Sequence, residues 1–290
     1  MTRPTVWVVG YLSLDDVVVE GCVHRDVPGG GALYAALGAA AGGAAPVLVT
    51  ARGPDFPESV LDGLRATGID VSAVERRDHP TRRARLAHGA DGQRESAHYG
   101  RPEWHAATAA LAPPLPPATA APGVAVLTAM PAGDLVRQLE WARGRGASVV
   151  VDTSEVFATR DRDGLLALAG RMDLFAPSRE ETRLLLPDLD DDGALAALAM
   201  LCPRVVQKRG ADGLALRSAA HPAGLGVAPC PGPVVDPTGA GDACVGAFAA
   251  GLARGLDDAA LLALGSEVAA RAVAGIGPAG LGLVVAAAVR

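Results

Sequence analysis

The 290-residue sequence is nearly without lysine: of its 26 basic residues, only Lys208 is one. An excess of arginine and alanine fits a GC-biased coding sequence, and makes that surviving ammonium a pointer to function. Aromatic residues are scarce too, at 3% of a chain that is 50% hydrophobic. Alanine, valine and leucine must therefore fill the core. The net charge of -6 comes without a clustered basic face, which excludes the electrostatic footprint of a nucleic-acid binder. Cys22, Cys202, Cys230 and Cys244 are widely spaced and form no C-x-x-C. That excludes the usual zinc and redox spacings and predicts four unpaired thiols in a reducing cytoplasm. No run approaches the ~18 uncharged apolar residues of a membrane span. The opening MTRPTVWVVGYLSLDD faintly mimics a signal peptide. It lacks a small-residue cleavage site and ends its apolar run at Asp15-Asp16, so a first β-strand and a cytoplasmic protein are expected.

What is present is an alternation. Short apolar runs at 6–9, 47–50, 124–128, 148–152, 174–176 and 204–208 read as strands. Helical patterns separate them at 32–41, 57–67, 133–143, 164–171, 179–186 and 193–201. Fully apolar strands alternating with helices predict a mostly parallel sheet covered on both faces, an α/β/α sandwich. Two more polar segments break the rhythm. Residues 17–24 read as a hairpin with a Glu20-Gly21 turn, and 83–99 as a second with Asp91-Gly92 as its turn. Paired, they would form a small, half-exposed sheet of the kind that covers a site. The proline-rich stretch 112–123 reads as a surface loop. After residue 242 the pattern is helical, over 243–254, 257–274 and 282–289, with 274–280 as a loop.

The string Asp236-Pro-Thr-Gly-Ala-Gly-Asp242 carries the chemistry. A small-residue turn opens a helix whose first N–H groups lack intrahelical partners and point outward along the helix dipole. Such a turn binds anions, phosphate above all. Gly239 and Gly241 would let the backbone approach the guest closely. Asp242 is out of place in a site that only binds, because a carboxylate repels phosphate. It has a reason to be there if it accepts a proton from a hydroxyl attacking that phosphate. An N-capping role is the plainer alternative for a lone Gly-Asp, but the seven-residue string is far more specific.

That string, followed by small residues and Phe248, resembles the C-terminal signature of the PfkB carbohydrate kinase family, the ribokinase-like enzymes. Further elements are similar to the family's in the same order: Gly10-Tyr-Leu-Ser-Leu-Asp15, Pro28-Gly-Gly-Gly-Ala-Leu-Tyr34, Gly53-Pro-Asp55, Lys208-Arg-Gly-Ala-Asp-Gly213 and Gly275-Ile-Gly-Pro-Ala-Gly280. The resemblance implies a ribokinase-like three-layer α/β/α fold over 1–290 with a mostly parallel central sheet. It also implies a reduced β lid formed by about 16–27 and 82–100, and a monomer or homodimer. The implied activity is ATP-dependent phosphorylation of a small-molecule hydroxyl, with Mg2+ and possible K+ dependence. Asp242 would be the base and Gly239, Ala240 and Gly241 the anion hole. Asp15, Gly30, Gly31, Tyr34 and Asp152 would meet the acceptor. Ser178, Lys208, Gly210, Gly213 and Gly277 would lie at the nucleotide. Glu181 would hold Mg2+ through water, and Asp236 and Thr238 a monovalent cation.

Two positions depart from the family pattern. Tyr34 stands where an asparagine usually bonds a sugar hydroxyl. It keeps a donor and adds a ring, and the Gly-Gly-Gly-Ala-x-Tyr run is nearer the inositol-kinase-like branch. Ser178 replaces the asparagine of N-x-x-E, while Glu181 fits. The expected acceptor is therefore a polyol, sugar or cyclitol. A nucleoside is the runner-up, with Trp104, Tyr34 and Tyr99 as candidate stacking partners. A metabolite-sensing pseudokinase would be expected to lose Asp242, which is present. A dinucleotide-binding reductase fails because Gly10 opens no G-x-G-x-x-G.

Overall fold

The computed structural model describes residues 2–88, 94–97, 100–118, 123–284 and 288–289. Strand β1 (Thr5–Val9) leads into β2 (Ser13–Val19) and β3 (Cys22–Gly29), followed by α1 (Gly31–Ala41), β4 (Ala45–Arg52), α2 (Glu58–Ala66) and β5 (Val74–Arg76). Next come β6 (Arg85–His88), β7 (Arg94–Ala97), α3 (Pro102–Ala110), β8 (Val124–Leu127), α4 (Ala132–Arg143) and β9 (Ser148–Val151). The chain continues through α5 (Glu155–Arg160), α6 (Arg162–Leu168), β10 (Leu174–Phe175), α7 (Arg179–Leu185), α8 (Asp191–Ala199) and β11 (Arg204–Lys208). It closes with β12 (Leu214–Ser218), β13 (Leu225–Val227), α9 (Ala240–Ala253), α10 (Asp258–Ala272) and β14 (Ala288–Val289).

Among the described residues the main sheet runs β13-β12-β11-β10-β9-β8-β1-β4-β5. It is parallel from β11 to β5, with β12 and β13 antiparallel at one edge. Its strands alternate strictly between two cores. Val6 and Val8 of β1 join α1, α2, α9 and α10 on one face. Trp7 and Val9 join α4, α6 and α8 on the other, with Trp104 of α3 and Phe157 of α5. This is the expected α/β/α sandwich, both faces dry because both are covered.

The anticipated hairpins pair as well. The sheet β14-β3-β2-β6-β7 stands apart from the main one, with β2 parallel to β6 through Asp16–Arg85, Val17–Leu86 and Val18–Ala87. The Glu20-Gly21 turn has positive φ at both residues, +50° and +80°, as a tight hairpin turn requires. The Asp91-Gly92 turn lies outside the described residues. A register shift between Asp15 and Val17 marks a bulge in β2, a device that re-aims a side chain next to a site. The base of the small sheet is clamped by Asp55, which accepts from Thr81 N and Oγ1 at 2.8 Å each.

One expected element is not found. The described residues of 282–289 are not helical: Gly282 is left-handed (φ +89°) and ends the 3-10 turn Gly277–Leu281, and Ala288–Val289 pairs with β3 as a short edge strand. The valine-rich tail suits an extended edge better than an uncapped helix. Helices α3 and α5 are additions that the apolar pattern did not mark.

Helices α1 and α9 cross with backbone against backbone. A Cβ placed on Gly38 would lie 2.0 Å from Ala243 O, and one on Gly246 would lie 1.9 Å from Ala35 O. These two glycines draw the N-terminus of α9 close to that of α1. Opposite them, Thr128, Asp152, Ser178 and Lys208 cluster at the carboxyl ends of β8, β9, β10 and β11. The carboxyl edge of a parallel sheet is where α/β proteins bind their ligands.

Candidate active site

A cavity of about 690 Å³ opens between the sheet edge and the helix N-termini. Gly239 caps α9 in the left-handed conformation (φ +76°), with no side chain on the first-turn N–H groups. The glycine is required twice over, because a Cβ there would also lie 2.3 Å from the ring of Tyr34. Gly241 is less constrained. A Cβ there would meet Lys208 at an ordinary 3.4–3.6 Å. The N–H groups of Gly241 and Asp242 belong to the first turn of α9 and lack intrahelical acceptors, while Ala240 N donates to Pro237 O (3.3 Å). Asp242 stands on that same turn and faces α1, where a Cβ on Gly31 would lie 2.5 Å from its Oδ1.

Asp15 lines the cavity from β2. Its Oδ2 accepts from Ser13 Oγ (2.6 Å) and its Oδ1 from Ala84 N (2.8 Å). Burial pushes its carboxyl up to about 6, against the opposing pull of those hydrogen bonds and of Arg82 and Arg83. Gly30 (φ +94°) brings the chain within reach of β1's exit, where a Cβ would meet Tyr11 O at 2.3 Å. Tyr34 packs as a floor under the α9 turn. Its hydroxyl is buried and has no hydrogen-bond partner among the described residues. Burial, reinforced by Asp236, Asp15 and Asp242, holds that phenol well above its usual range.

Asp152 is engaged from within the protein. Lys208 Nζ donates to its Oδ1 (2.7 Å) and Oδ2 (2.8 Å), and both side chains are nearly buried. Ser178 and Glu181 form a reciprocal capping box on α7: Ser178 Oγ accepts from Glu181 N (3.1 Å) and Glu181 Oε2 accepts from Ser178 N (2.6 Å). This supplies a structural reason for serine in place of asparagine, and the pair still lines the cavity. Gly210 and Gly213 line it too, both with positive φ.

Asp236 and Gly277 are set behind the wall. Asp236 is wholly buried and accepts from Thr238 N (2.9 Å) and Gly277 N (2.7 Å). Gly277 thus braces the loop before α9 and does not line the cavity. Thr238 does line it, with a buried Oγ1 that has no partner among the described residues.

Beyond Asp15 lies a wall that the motifs did not mark. The Arg82 guanidinium sits 4.1 Å from the centroid of the Tyr11 ring and 5.0 Å from that of Trp104. Trp104 also packs on Phe157 with centroids 6.0 Å apart. The Tyr11 hydroxyl is fixed by Asp134 Oδ2 at 3.1 Å. With Tyr34, four aromatic residues line one cavity in a chain whose content is 3% aromatic. That scarcity was the available signal, but Tyr11, Trp104 and Phe157 come from three distant segments. Tyr99 lies outside the described residues.

A family model described as pfkB family carbohydrate kinase matches residues 12–281. The chain belongs to this family. A cytidine kinase of Thermococcus kodakarensis is 28% identical over 253 residues, covering 86% of this chain and 88% of the relative. Among solved structures, the nucleoside kinase of Burkholderia thailandensis in complex with inosine superposes with a TM-score of 0.74 at 18% identity, over 95% of this chain and 91% of that one. A Cryptococcus neoformans ribokinase in complex with ADP superposes at 0.73 and 19% identity, over 96% and 95% of the two chains. These structural likenesses establish the ribokinase-like fold of this PfkB kinase. Among its described residues, no helix is long and apolar enough to cross a membrane.

Proposed function

We propose that this PfkB kinase transfers the γ-phosphoryl group of ATP to a hydroxyl of a nucleoside. The observation that carries the acceptor class is the Tyr11–Arg82–Trp104–Phe157 wall, which continues the cavity past Asp15. A free sugar or polyol would leave this wall unused, whereas a nucleobase can stack on aromatic and guanidinium planes. The cytidine kinase relative points the same way. A polyol or cyclitol is the second reading, favoured by Asp15 and the Gly29–Tyr34 run.

In this mechanism Asp15 accepts hydrogen bonds from acceptor hydroxyls, and Gly30 and Gly31 let the acceptor lie against backbone. Asp242 takes the proton of the attacking hydroxyl as its oxygen bonds to the γ-phosphorus. The bond from that phosphorus to the bridging β–γ oxygen breaks, and ADP leaves. The N–H groups of the 239–241 turn stabilise the charge on the group in transfer. The nucleotide would extend along Ser178 and the Lys208–Gly213 turn. Glu181, an almost buried acid lining the cavity, is the residue to hold Mg2+ through water, which suits an ion that keeps much of its hydration. Magnesium, when bound, neutralises phosphate charge. The buried oxygens of Asp236 and Thr238 form a donor set of the right chemistry for K+, with Gly277 supporting them from behind.

An ADP-release screen over nucleosides, pentoses, hexoses, inositols and aminocyclitols tests this reading. Turnover is expected with nucleosides. Turnover confined to free sugars or polyols would replace the acceptor class, and none with any acceptor would favour a sensing role.

A further inference from the structure

The phosphoryl-transfer reading leaves one buried ion pair without a task. Lys208 ends β11 and Asp152 follows β9, so the pair bridges the carboxyl end of the intervening β10. Their side chains are 11% and 3% exposed. Burying such a pair is seldom the most stable choice, since an apolar pair of similar size often does as well or better. It also lies against the reactive turn: the Lys208 Nζ, Cδ and Cε atoms are 3.4–3.6 Å from the position a Gly241 Cβ would take. The carboxylates acting on the ammonium are those of Asp152, Glu181 and Asp242, and they outweigh burial to keep it protonated.

The ammonium has three N–H donors. Asp152 is its only hydrogen-bond partner among the described residues, receiving two of them. One donor therefore remains for a ligand in the cavity that Lys208, Gly241 and Asp242 all line. The point-charge geometry of lysine is also informative. A guanidinium fork needs more room than an ammonium, and this chain uses arginine at every other basic position.

We propose that Lys208 is a catalytic residue that bonds the phosphoryl group in transfer, and that Asp152 is the positioning residue that aims it. Asp152 then serves the phosphoryl side and does not bind the acceptor. The proposal rests on the phosphotransfer reading. It adds a fixed positive charge beside the N–H groups of the α9 turn, on the side of the sheet edge.

Removing one partner alone would strand a buried charge and could unfold the chain. The decisive variant is therefore the double replacement Lys208→Met with Asp152→Asn, compared with Asp152→Asn and Lys208→Arg. Three quantities are measured on the full chain: melting temperature, steady-state kcat and KM, and calorimetric affinities for ATP and ADP. The double variant is expected to keep its melting temperature within a few degrees and to lose about 10²-fold in kcat. Acceptor KM should change less than about threefold. ATP should bind roughly tenfold more weakly while ADP is little affected, because only ATP carries the group Lys208 meets. Lys208→Arg should not restore kcat. A folded double variant with kcat near wild type, or with ATP and ADP weakened equally, would overturn the assignment. A wild-type protein that turns over no acceptor would overturn the phosphotransfer reading itself, before any variant is compared.

Discussion

Gly31 leaves open the space that Asp242 fills: a Cβ on Gly31 would lie 2.5 Å from Asp242 Oδ1 and 3.2 Å from Thr128 Cβ. The proposed base is thus positioned by the absence of a side chain on the facing helix. Gly31→Ala is expected to displace the Asp242 carboxylate and lower kcat by about 10²-fold, since small misplacements of a reacting group have that effect. ATP binding should persist. A variant with wild-type kcat would show that the carboxylate can shift without consequence.

The same logic applies deeper in the α1–α9 contact, where it concerns stability. A methyl on Gly246 would lie 1.9 Å from Ala35 O and 2.7 Å from Ala35 C. Backbone cannot rotate away as a side chain can. Gly246→Ala should therefore destabilise the protein by roughly 3 kcal/mol, at the upper end for overpacking, read as a lowered midpoint in chemical denaturation. Gly241→Ala, whose new methyl would meet Lys208 at ordinary contact distance, should keep that midpoint while losing turnover.

Asp15 links pH to both stability and binding. Its carboxyl is raised from 3.8 to about 6 chiefly by burial, so the folded state favours the protonated form. The associated stability is fully present below pH ~4 and is lost as pH rises through about 6. The whole effect is about 3 kcal/mol. Asp15→Asn lacks this titration, so relative to the variant the wild type should weaken between pH 4 and 7. At pH 7.5 the variant should be at least as stable, with acceptor KM raised tenfold or more. Parallel stability–pH curves for the two proteins would contradict the burial account.

Trp104→Ala tests the acceptor wall. A stacked base is worth about 1–3 kcal/mol, so KM for a nucleoside should rise roughly five- to 160-fold, with kcat for a ribose-sized acceptor unaltered. Equal losses for both acceptors would assign Trp104 to packing alone.

Much of this was legible in the sequence, for identifiable reasons. The strands of the main sheet are buried on both faces and so read as continuous apolar runs. The Glu20-Gly21 turn announced its hairpin, and the Asp236–Asp242 string announced a glycine turn opening a helix with an acid in its first turn. What stayed hidden depends on meetings between distant segments. Nothing local pairs Lys208 with Asp152 across β10, or gathers Tyr11, Arg82, Trp104 and Phe157 around one end of a cavity. Residues 282–289 looked helical because the stretch is an unbroken apolar run of alanine, valine and leucine after Gly282, whereas left-handed Gly282 and the pairing of Ala288–Val289 with β3 decided otherwise.

The central claim is that Asp242 is the base for phosphoryl transfer to a bound hydroxyl. Its most direct test is the rate of acceptor-dependent ADP release by wild type and by Asp242→Asn, with ATP affinity measured on both. The account predicts a loss of 10²–10⁴-fold in kcat with ATP binding retained. ADP release at equal rates in the two proteins would contradict it.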